Sequence, residues 1–161
     1  MGAGKTSVGR RVAARLYRAL LDCDEVLGDR TGGRSAADIA EAEGADRLHA
    51  LEAEIALDLV RTTTPAVVGL AASVIEVEAV RDSLTDNFVV WLTGAVERLA
   101  ADAASKPHRP FVGDGDPLEL LTRQMAVREP LVLPIADLVI DVYSTSKDAQ
   151  ADAVVAAFGD A

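Results

Sequence analysis

Residues 1–7 read M-G-A-G-K-T-S, and this glycine-rich stretch, followed at once by a helical pattern, decides the fold. Glycines let the main chain wrap around an anion, and the N–H groups at the start of a helix point towards it. Lys5 has the reach to contact the β- and γ-phosphates of a nucleotide, and the hydroxyl of Thr6 suits Mg²⁺. The alternative is a glycine-rich tail before an ordinary helix. The predicted nucleotide-binding residues are Gly2, Ala3, Gly4, Lys5, Thr6 and Ser7.

The segment that should precede this loop is missing. In the full pattern G-x-x-x-x-G-K-[ST] the first glycine would fall two residues before Met1. The buried strand that should lead into the loop is missing as well. We expect a start site placed too late or a shortened chain. If the natural chain begins at Met1, we expect a sheet that lacks a strand, poor stability and weak nucleotide affinity.

Composition narrows the class of protein. The 161 residues suit a single domain over 1–161. The net charge of −10 argues against nucleic acid and membrane surfaces as partners, because both are anionic. Cys23 is the only cysteine, which excludes an intramolecular disulfide. No apolar run is long enough for a membrane helix and no signal-peptide pattern appears, so we expect a cytoplasmic monomer.

Short apolar runs alternate with stretches of helical period, which is typical of a parallel sheet built from β-α-β units. Ser35 begins a capping box for a short helix that ends near Gly44. In the longer helix that follows, Glu52 is expected to face outward. The polar segment 103–116 is expected to be a mobile lid before a helix that starts at Pro117. The other predicted elements are helix 5–17, strands 19–21, 66–70, 88–92 and 138–140, and helix 149–158.

Asp22, Cys23 and Asp24 follow directly on the first predicted strand. Ligands of α/β sheets bind at this end of the strands, so both carboxylates are candidate site residues. The alternative is a turn that caps the next helix. We expect Cys23 to be a small buried filler, made inert because neighbouring carboxylates raise the pKa of its thiol.

Eight motifs occur in a fixed order: M-G-A-G-K-T-S-V-G-R at 1–10, D-C-D at 22–24, R-T-G-G-R-S-A-A-D-I at 30–39, L-H-A-L-E at 48–52, V-V-W-L at 89–92, R-P-F at 109–111, R-E-P-L at 128–131 and A-D-L-V-I-D at 136–141. Together they resemble the shikimate kinases, small P-loop enzymes that phosphorylate a carboxylated cyclic triol. The resemblance covers nearly the whole chain. It implies a P-loop NTPase-like, three-layer α/β fold with a parallel sheet flanked by helices, here without its first strand, and it implies ATP and Mg²⁺ as cofactors.

The resemblance also implies roles for single residues. Lys5 and a Mg²⁺ ion on Thr6 neutralise phosphate charge, which is most of what phosphoryl transfer requires. Asp22 helps to hold the metal through water. Asp24 binds the hydroxyls of the acceptor and accepts the proton of the attacking hydroxyl.

Two arginines complete the site that the resemblance implies. Arg109, in the lid, closes over the phosphates; the alternative is a solvated loop cation that contributes little. Arg128 pairs with the carboxylate of the acceptor, a bidentate role that its planar guanidinium suits. The alternative for Arg128 is a cation that stabilises a helix C-terminus.

Four departures from the family pattern surround the acceptor and the lid. His49 replaces a second carboxylate-binding arginine, which weakens an ion pair worth roughly 1.5–3 kcal/mol; the alternative is a helical histidine without a role. Ala71-Ala72-Ser73 replaces three glycines, and side chains there either clash with the acceptor or oppose a positive φ. Asp102 replaces a lid arginine, part of whose charge Lys106 could supply, and Val132 replaces a tyrosine.

Three functions remain open. The first is an ATP-dependent shikimate kinase, which the sequence favours. The second is a kinase for another small hydroxylated acceptor, since the pocket is reshaped while Lys5, Thr6 and Asp24 are kept. The third is a non-catalytic nucleotide-binding paralogue.

Overall fold

The computed structural model describes residues 3–105 and 116–160, in which strands and helices alternate along the chain. Within these residues the strands are β1 (Ala19–Asp22), β2 (Ala66–Gly69), β3 (Val90–Thr93) and β4 (Leu138–Asp141). The α-helices are α1 (Lys5–Leu16), α2 (Cys23–Arg30), α3 (Ala36–Glu43), α4 (Ala45–Val60), α5 (Glu78–Ser83), α6 (Val96–Ala104), α7 (Pro117–Val132) and α8 (Lys147–Gly159). Two 3₁₀ helices, Ala72–Glu76 and Leu133–Ile135, follow β2 and α7.

The strands form two parallel pairs instead of one continuous sheet. β1 pairs with β2, with Ala19 opposite Ala66, and β3 pairs with β4. A cavity of about 510 Å³ is lined by both inner strands, including Val67 of β2 and Leu92 of β3. Among the described residues no strand joins β2 to β3. This arrangement agrees with the prediction of a parallel sheet that lacks one strand.

Helix α1 packs against both pairs of strands and connects them. Its Val8 and Val12 are buried beside Ile140 of β4, and Val67 of β2 packs against the same cluster. Ala151 of α8 completes this contact. Full burial of an aliphatic side chain of this size contributes roughly 1.5–3 kcal/mol. Val8 and Val12, whose spacing predicted the helix, therefore hold α1 and the N-terminal loop before it against both pairs of strands.

Several predicted helix ends are confirmed. Ser35 and Asp38 form the capping box, with each side chain accepting a hydrogen bond from the other residue's N–H. Helix α3 ends at Glu43 with Gly44 as its C-cap, and α7 begins at Pro117. Helix α1 ends one residue earlier than predicted because Tyr17 adopts a left-handed conformation with φ 53°.

The third strand was predicted at 88–92, but β3 begins only at Val90. The ring of Phe88 instead packs edge-on against Phe158, with centroids 5.6 Å apart. The N–H of Val89 donates to the carboxylate of Asp137 at 2.7 Å instead of to a strand. Apolar character alone therefore placed the start of this strand two residues too early.

Helices α5 and α6 were not predicted, and α2 was expected only under the alternative in which residues 22–24 cap a helix. Of the predicted lid at 103–116, residues 103 and 104 end α6, Ser105 is the C-cap of α6, and Asp116 is the N-cap of α7; the remainder lies outside the described residues. In the described part of the chain, no helix combines the length and the apolar character needed to span a bilayer.

Candidate functional site

The predicted phosphate-binding loop is described from Ala3 onward and leads directly into α1. Gly4 is the N-cap of this helix and has φ 78° and ψ 28°, a left-handed conformation that favours glycine. A Cβ atom at Gly4 would also lie 2.9 Å from Nζ of Lys147. Because glycine has no side chain to cap the helix, the first N–H groups of α1 are presented as an anion site.

Two lysines lie beside this loop. Lys5 is one of the residues that line the cavity between β2 and β3, and Ala72 and Arg128 also line it. Nζ of Lys147 lies 3.5 Å from the carbonyl oxygen of Ala3. Sequence analysis missed Lys147, because only the packing of α8 against α1 brings it to the loop.

Thr6 and Asp22 are in direct contact. Thr6 Oγ1 donates to Asp22 Oδ2 at 2.7 Å, and Asp22 Oδ1 accepts from the N–H of Asp24 at 3.0 Å. Asp22 is 5% exposed and is the N-cap of α2. The capping alternative is therefore correct for Asp22, and it coexists with contact to the loop. Asp24 lies in the first turn of α2 with an exposed side chain.

The Thr6–Asp22 pair offers oxygen atoms that suit Mg²⁺. This ion is usually held by one or two protein oxygens, together with substrate phosphates and water. Groups of three or more His, Cys, Asp or Glu side chains placed to hold a metal do not occur among the described residues. One hydroxyl and one carboxylate beside a phosphate-binding loop fit a nucleotide-dependent Mg²⁺ site and not an all-protein metal cage.

Glu52 is buried, which corrects the expectation that it faces outward. It is 7% exposed, on α4, and accepts a hydrogen bond from the hydroxyl of Ser73. Burial raises the pKa of the Glu52 carboxyl, although the hydrogen bond from Ser73 opposes the rise. The charges of His49 and Lys5 also lower this pKa, whereas Asp24 raises it. These five residues therefore share one electrostatic environment.

The segment Ala71-Ala72-Ser73 does not carry backbone strain, contrary to one of the two expectations. Ala71 is extended, with φ −64° and ψ 145°, and the 3₁₀ helix Ala72–Glu76 follows. Among the described non-glycine residues only Tyr17 has a positive φ. The main chain has adopted a conformation that alanine and serine accept. The remaining expectation is steric, namely that these side chains narrow the acceptor pocket.

Arg128 is held by two side chains. Its Nε lies 2.6 Å from Glu76 Oε1, and its Nη1 donates to Gln124 Oε1 at 3.0 Å. The Arg128 side chain is 12% exposed. Sequence analysis did not anticipate Glu76, because 52 positions separate it from Arg128 and no periodicity links them.

Cys23 is a buried core residue, as expected. It is 1% exposed and packs in the cluster that contains Leu27 and Ile55. The pKa of its thiol is raised to about 11, mainly by burial, with smaller contributions from Glu52, Asp24 and Asp22. The expectation that Asp22 and Asp24 raise this pKa is therefore confirmed, but removal from water has the larger effect.

Asp102, which replaces a lid arginine of the family pattern, is tied to the end of β4. Its Oδ2 accepts a hydrogen bond from the hydroxyl of Tyr143 at 2.8 Å. The guanidinium of Arg98 lies 3.9 Å from the centre of the Tyr143 ring. Burial and the bond to Asp102 raise the pKa of Tyr143 to about 12.

Ser7 lies in the first turn of α1, and its hydroxyl accepts a hydrogen bond from Nη1 of Arg11 at 2.9 Å. Val132 is buried in the apolar cluster of Ala53 and Val80. Gly2, Lys106 and Arg109 lie outside the described residues.

The chain is similar to one family along almost its whole length. The family model described as shikimate kinase matches residues 1–158. A shikimate kinase of Marinomonas sp. is 32% identical over 149 residues, which is 89% of this chain and 80% of the relative. A shikimate kinase of Alteromonas mediterranea is 31% identical over 163 aligned positions, 99% of this chain and 92% of the relative. A solved structure of shikimate kinase from Acinetobacter baumannii in complex with shikimate superposes with a TM-score of 0.86 at 26% identity, covering 99% of this chain and 89% of that one.

Proposed function

The chain belongs to the shikimate kinase family, and from that premise we propose that it transfers the γ-phosphoryl group of ATP to a hydroxyl of shikimate. The observation that carries this proposal is the Thr6–Asp22 hydrogen bond beside the left-handed Gly4. It connects the first turn of α1, which follows the loop, to the end of β1, and this is where the proposal places the nucleotide. This is the half of the site that any kinase of the family requires.

Phosphoryl transfer depends on positioning and on neutralising charge, more than on covalent help from the protein. The N–H groups of the loop and Lys5 would hold the β- and γ-phosphates. Mg²⁺, bound by the Thr6 hydroxyl and held through water by Asp22, would supply the remaining positive charge. The hydrogen bond to Asp22 orients the Thr6 hydroxyl so that a lone pair is available to the ion.

On the acceptor side, Asp24 would hold the attacking hydroxyl and take its proton. It lies at the carboxyl end of β1, the edge where ligands bind in sheets of this type. Arg128 would bind the acceptor carboxylate, and His49 and Ala72 would line the pocket. Arg109 would close over the phosphates from a lid within 103–116. We propose that the whole chain acts as one such domain, as a monomer in the cytoplasm.

A second candidate is a kinase for another small hydroxylated acceptor. The observation that favours it is the hydrogen bond between Ser73 and the buried Glu52. Ser73 replaces a glycine of the family pattern, and its hydroxyl is hydrogen-bonded to Glu52. Glu52 lies one helical turn beyond His49. An acceptor smaller than shikimate, or without a carboxylate, would be less affected by both changes.

Release of ADP from Mg-ATP in the presence of shikimate, and then of a panel of small polyols and hydroxy acids, tests the proposal. The Lys5→Met variant, purified in the same way, measures contaminating kinase activity. Turnover with shikimate above this background supports the first function, and turnover only with another acceptor supports the second. Nucleotide binding without turnover of any acceptor overturns both and leaves a non-catalytic paralogue.

A further inference from the structure

The guanidinium of Arg128 already has a carboxylate partner within the protein. Glu76 Oε1 lies 2.6 Å from its Nε, and the side chains of Arg128 and Glu76 are 12% and 40% exposed. Water and salt screen such a partly buried pair less than an ion pair on the open surface. Gln124 holds Nη1 of the same guanidinium at 3.0 Å, so Arg128 is fixed on two sides.

Glu76 belongs to the segment that includes Ala72 and Ser73, where the sequence departs from the glycines of the family pattern. It is the last residue of the 3₁₀ helix Ala72–Glu76, and Ser73 of that helix is the partner of the buried Glu52. Ala72 of the same helix lines one cavity with Arg128. The 3₁₀ helix therefore connects the Ser73–Glu52 contact at one end to the Glu76–Arg128 ion pair at the other.

An arginine recognises a carboxylate best through two neighbouring N–H groups of its planar guanidinium. In Arg128 the Nε edge is bonded to Glu76. A carboxylated acceptor therefore reaches that edge only by displacing Glu76. We infer that Glu76 is a specificity-determining residue that competes with the acceptor carboxylate for Arg128. This inference rests on the proposed function, in which Arg128 binds the acceptor.

The competition has a distinct signature. It weakens binding of a carboxylated acceptor, because displacement of Glu76 is part of the binding step. It leaves an uncharged analogue unaffected, because that ligand does not need the guanidinium. The phosphate-transfer step is also unaffected, because the ion pair and hydrogen bond described above join Arg128 to Glu76 and Gln124 and not to the nucleotide loop. Glu76 therefore raises KM for the acid without changing kcat.

The test compares shikimate with its methyl ester in the full chain and in the Glu76→Gln and Glu76→Ala variants. We expect KM for shikimate to fall roughly 3- to 10-fold in both variants, the effect of removing one competing ion pair. KM for the ester and kcat for both ligands should stay constant. Glu43→Gln is the matched control, because Glu43 makes a 2.6 Å ion pair with Arg34 and is not part of the site.

An unchanged or increased KM for shikimate in the variants overturns the inference, since Glu76 would then only position Arg128. An equal change for the ester overturns it too. Dissociation constants for shikimate, measured by calorimetry with a non-hydrolysable ATP analogue present, distinguish failure of the inference from failure of the proposed function. If no form turns over shikimate but the two variants bind it more tightly, the proposed function fails and the inference holds. If shikimate is turned over and the KM for shikimate is the same in the variants as in the parent protein, the proposed function holds and the inference fails.

Discussion

Thr6 Oγ1 lies 2.7 Å from Asp22 Oδ2, a contact that links the first turn of α1 to the carboxyl end of β1. The second oxygen of Asp22 caps α2 at 3.0 Å from the N–H of Asp24. One buried carboxylate therefore orients the hydroxyl that would bind Mg²⁺ and also positions the helix that carries Asp24. In the proposed site, the nucleotide and acceptor halves therefore meet at Asp22.

The Asp22→Asn substitution should weaken the Mg²⁺ site more than the fold. Asparagine remains a good helix cap, but it no longer offers a carboxylate to orient Thr6 and the ion. Loss of such an outer partner typically costs about 10- to 100-fold in metal affinity. Titration of ADP release with Mg²⁺ at fixed ATP measures the effect. Ser35→Ala removes the cap of α3 instead and should lower stability without changing the Mg²⁺ requirement; the idea is wrong if both variants change that requirement equally.

The Gly4→Ala substitution should destabilise the loop and weaken nucleotide binding. Alanine at φ 78° is strained by about 1–3 kcal/mol, and the flexible end of Lys147, whose Nζ would lie 2.9 Å from the new Cβ, would have to move aside. Urea denaturation and binding of a fluorescent ATP analogue provide the two measurements. Gly28→Ala is the control, because this helical glycine has open space around it and alanine there should be neutral or stabilising by up to about 1 kcal/mol. Full nucleotide affinity in Gly4→Ala would contradict the assigned role of the loop.

Glu52 should make stability fall as pH rises. Its pKa in the folded state is raised, chiefly by burial, so the folded protein holds this proton more tightly than the unfolded chain. The resulting stabilisation is fully present below the unfolded pKa of about 4.3 and is lost as pH rises through the higher folded pKa.

The free energy of unfolding of the Glu52→Gln variant should therefore fall less between about pH 4 and pH 7.5 than that of the parent protein. Free energies of unfolding at several pH values measure the slope. Glu54→Gln, two positions along α4 and exposed to solvent, should keep the slope of the parent. Identical slopes for Glu52→Gln and the parent would show that the buried carboxyl does not titrate differently on folding.

The His49→Arg substitution should raise affinity for shikimate. An arginine at this position would add a fixed positive charge one helical turn from Glu52, and the Glu52 carboxylate could orient the new guanidinium. The expected gain is roughly 10- to 150-fold, the value of one charge-assisted hydrogen-bonded pair. Calorimetry or KM measures it, with Ala50→Arg, on the exposed neighbouring position of α4, as the control for added charge. The same gain in both variants would indicate simple attraction of an anion and not a specific contact.

A strand supplied ahead of Met1 should stabilise the protein. The two parallel pairs leave the inner edges of β2 and β3 on either side of a cavity of about 510 Å³. An extension that adds the two missing loop residues and, before them, an apolar strand of about six residues, the usual strand length, could hydrogen-bond to both edges and fill this space. We expect a higher melting temperature and a larger thermal shift with Mg-ATP. An extension of the same length with alternating prolines is the control, and equal melting temperatures for the two extended chains would exclude strand insertion.

Much of the nucleotide half could be predicted because its signals are local. Gly4, Lys5 and Thr6 are adjacent in sequence, and the helix that follows is visible in the four-residue spacing of Val8 and Val12. The capping box at Ser35 is equally local, since both partners lie within one turn. Such features depend on backbone chemistry that a short window of sequence contains.

The acceptor half was harder to predict because its contacts are distant in sequence. Glu52 looked like one more polar residue on the outer face of α4, and only the approach of Ser73 shows that it faces inward. The same holds for Glu76, which meets Arg128 across 52 positions.

The sequence by itself determined the family, the α/β class and the proposed phosphate-binding loop, since periodicity, caps and glycine-rich turns are short-range properties of the chain. Only the tertiary structure decided which carboxylates are paired. Burial raises the pKa of Glu52, and proximity in space gives Arg128 its partner Glu76. Both arise from how α4, α7 and the 3₁₀ helix between β2 and α5 pack together. Electrostatic pairing is decided by distances of a few ångströms that no spacing along the chain encodes.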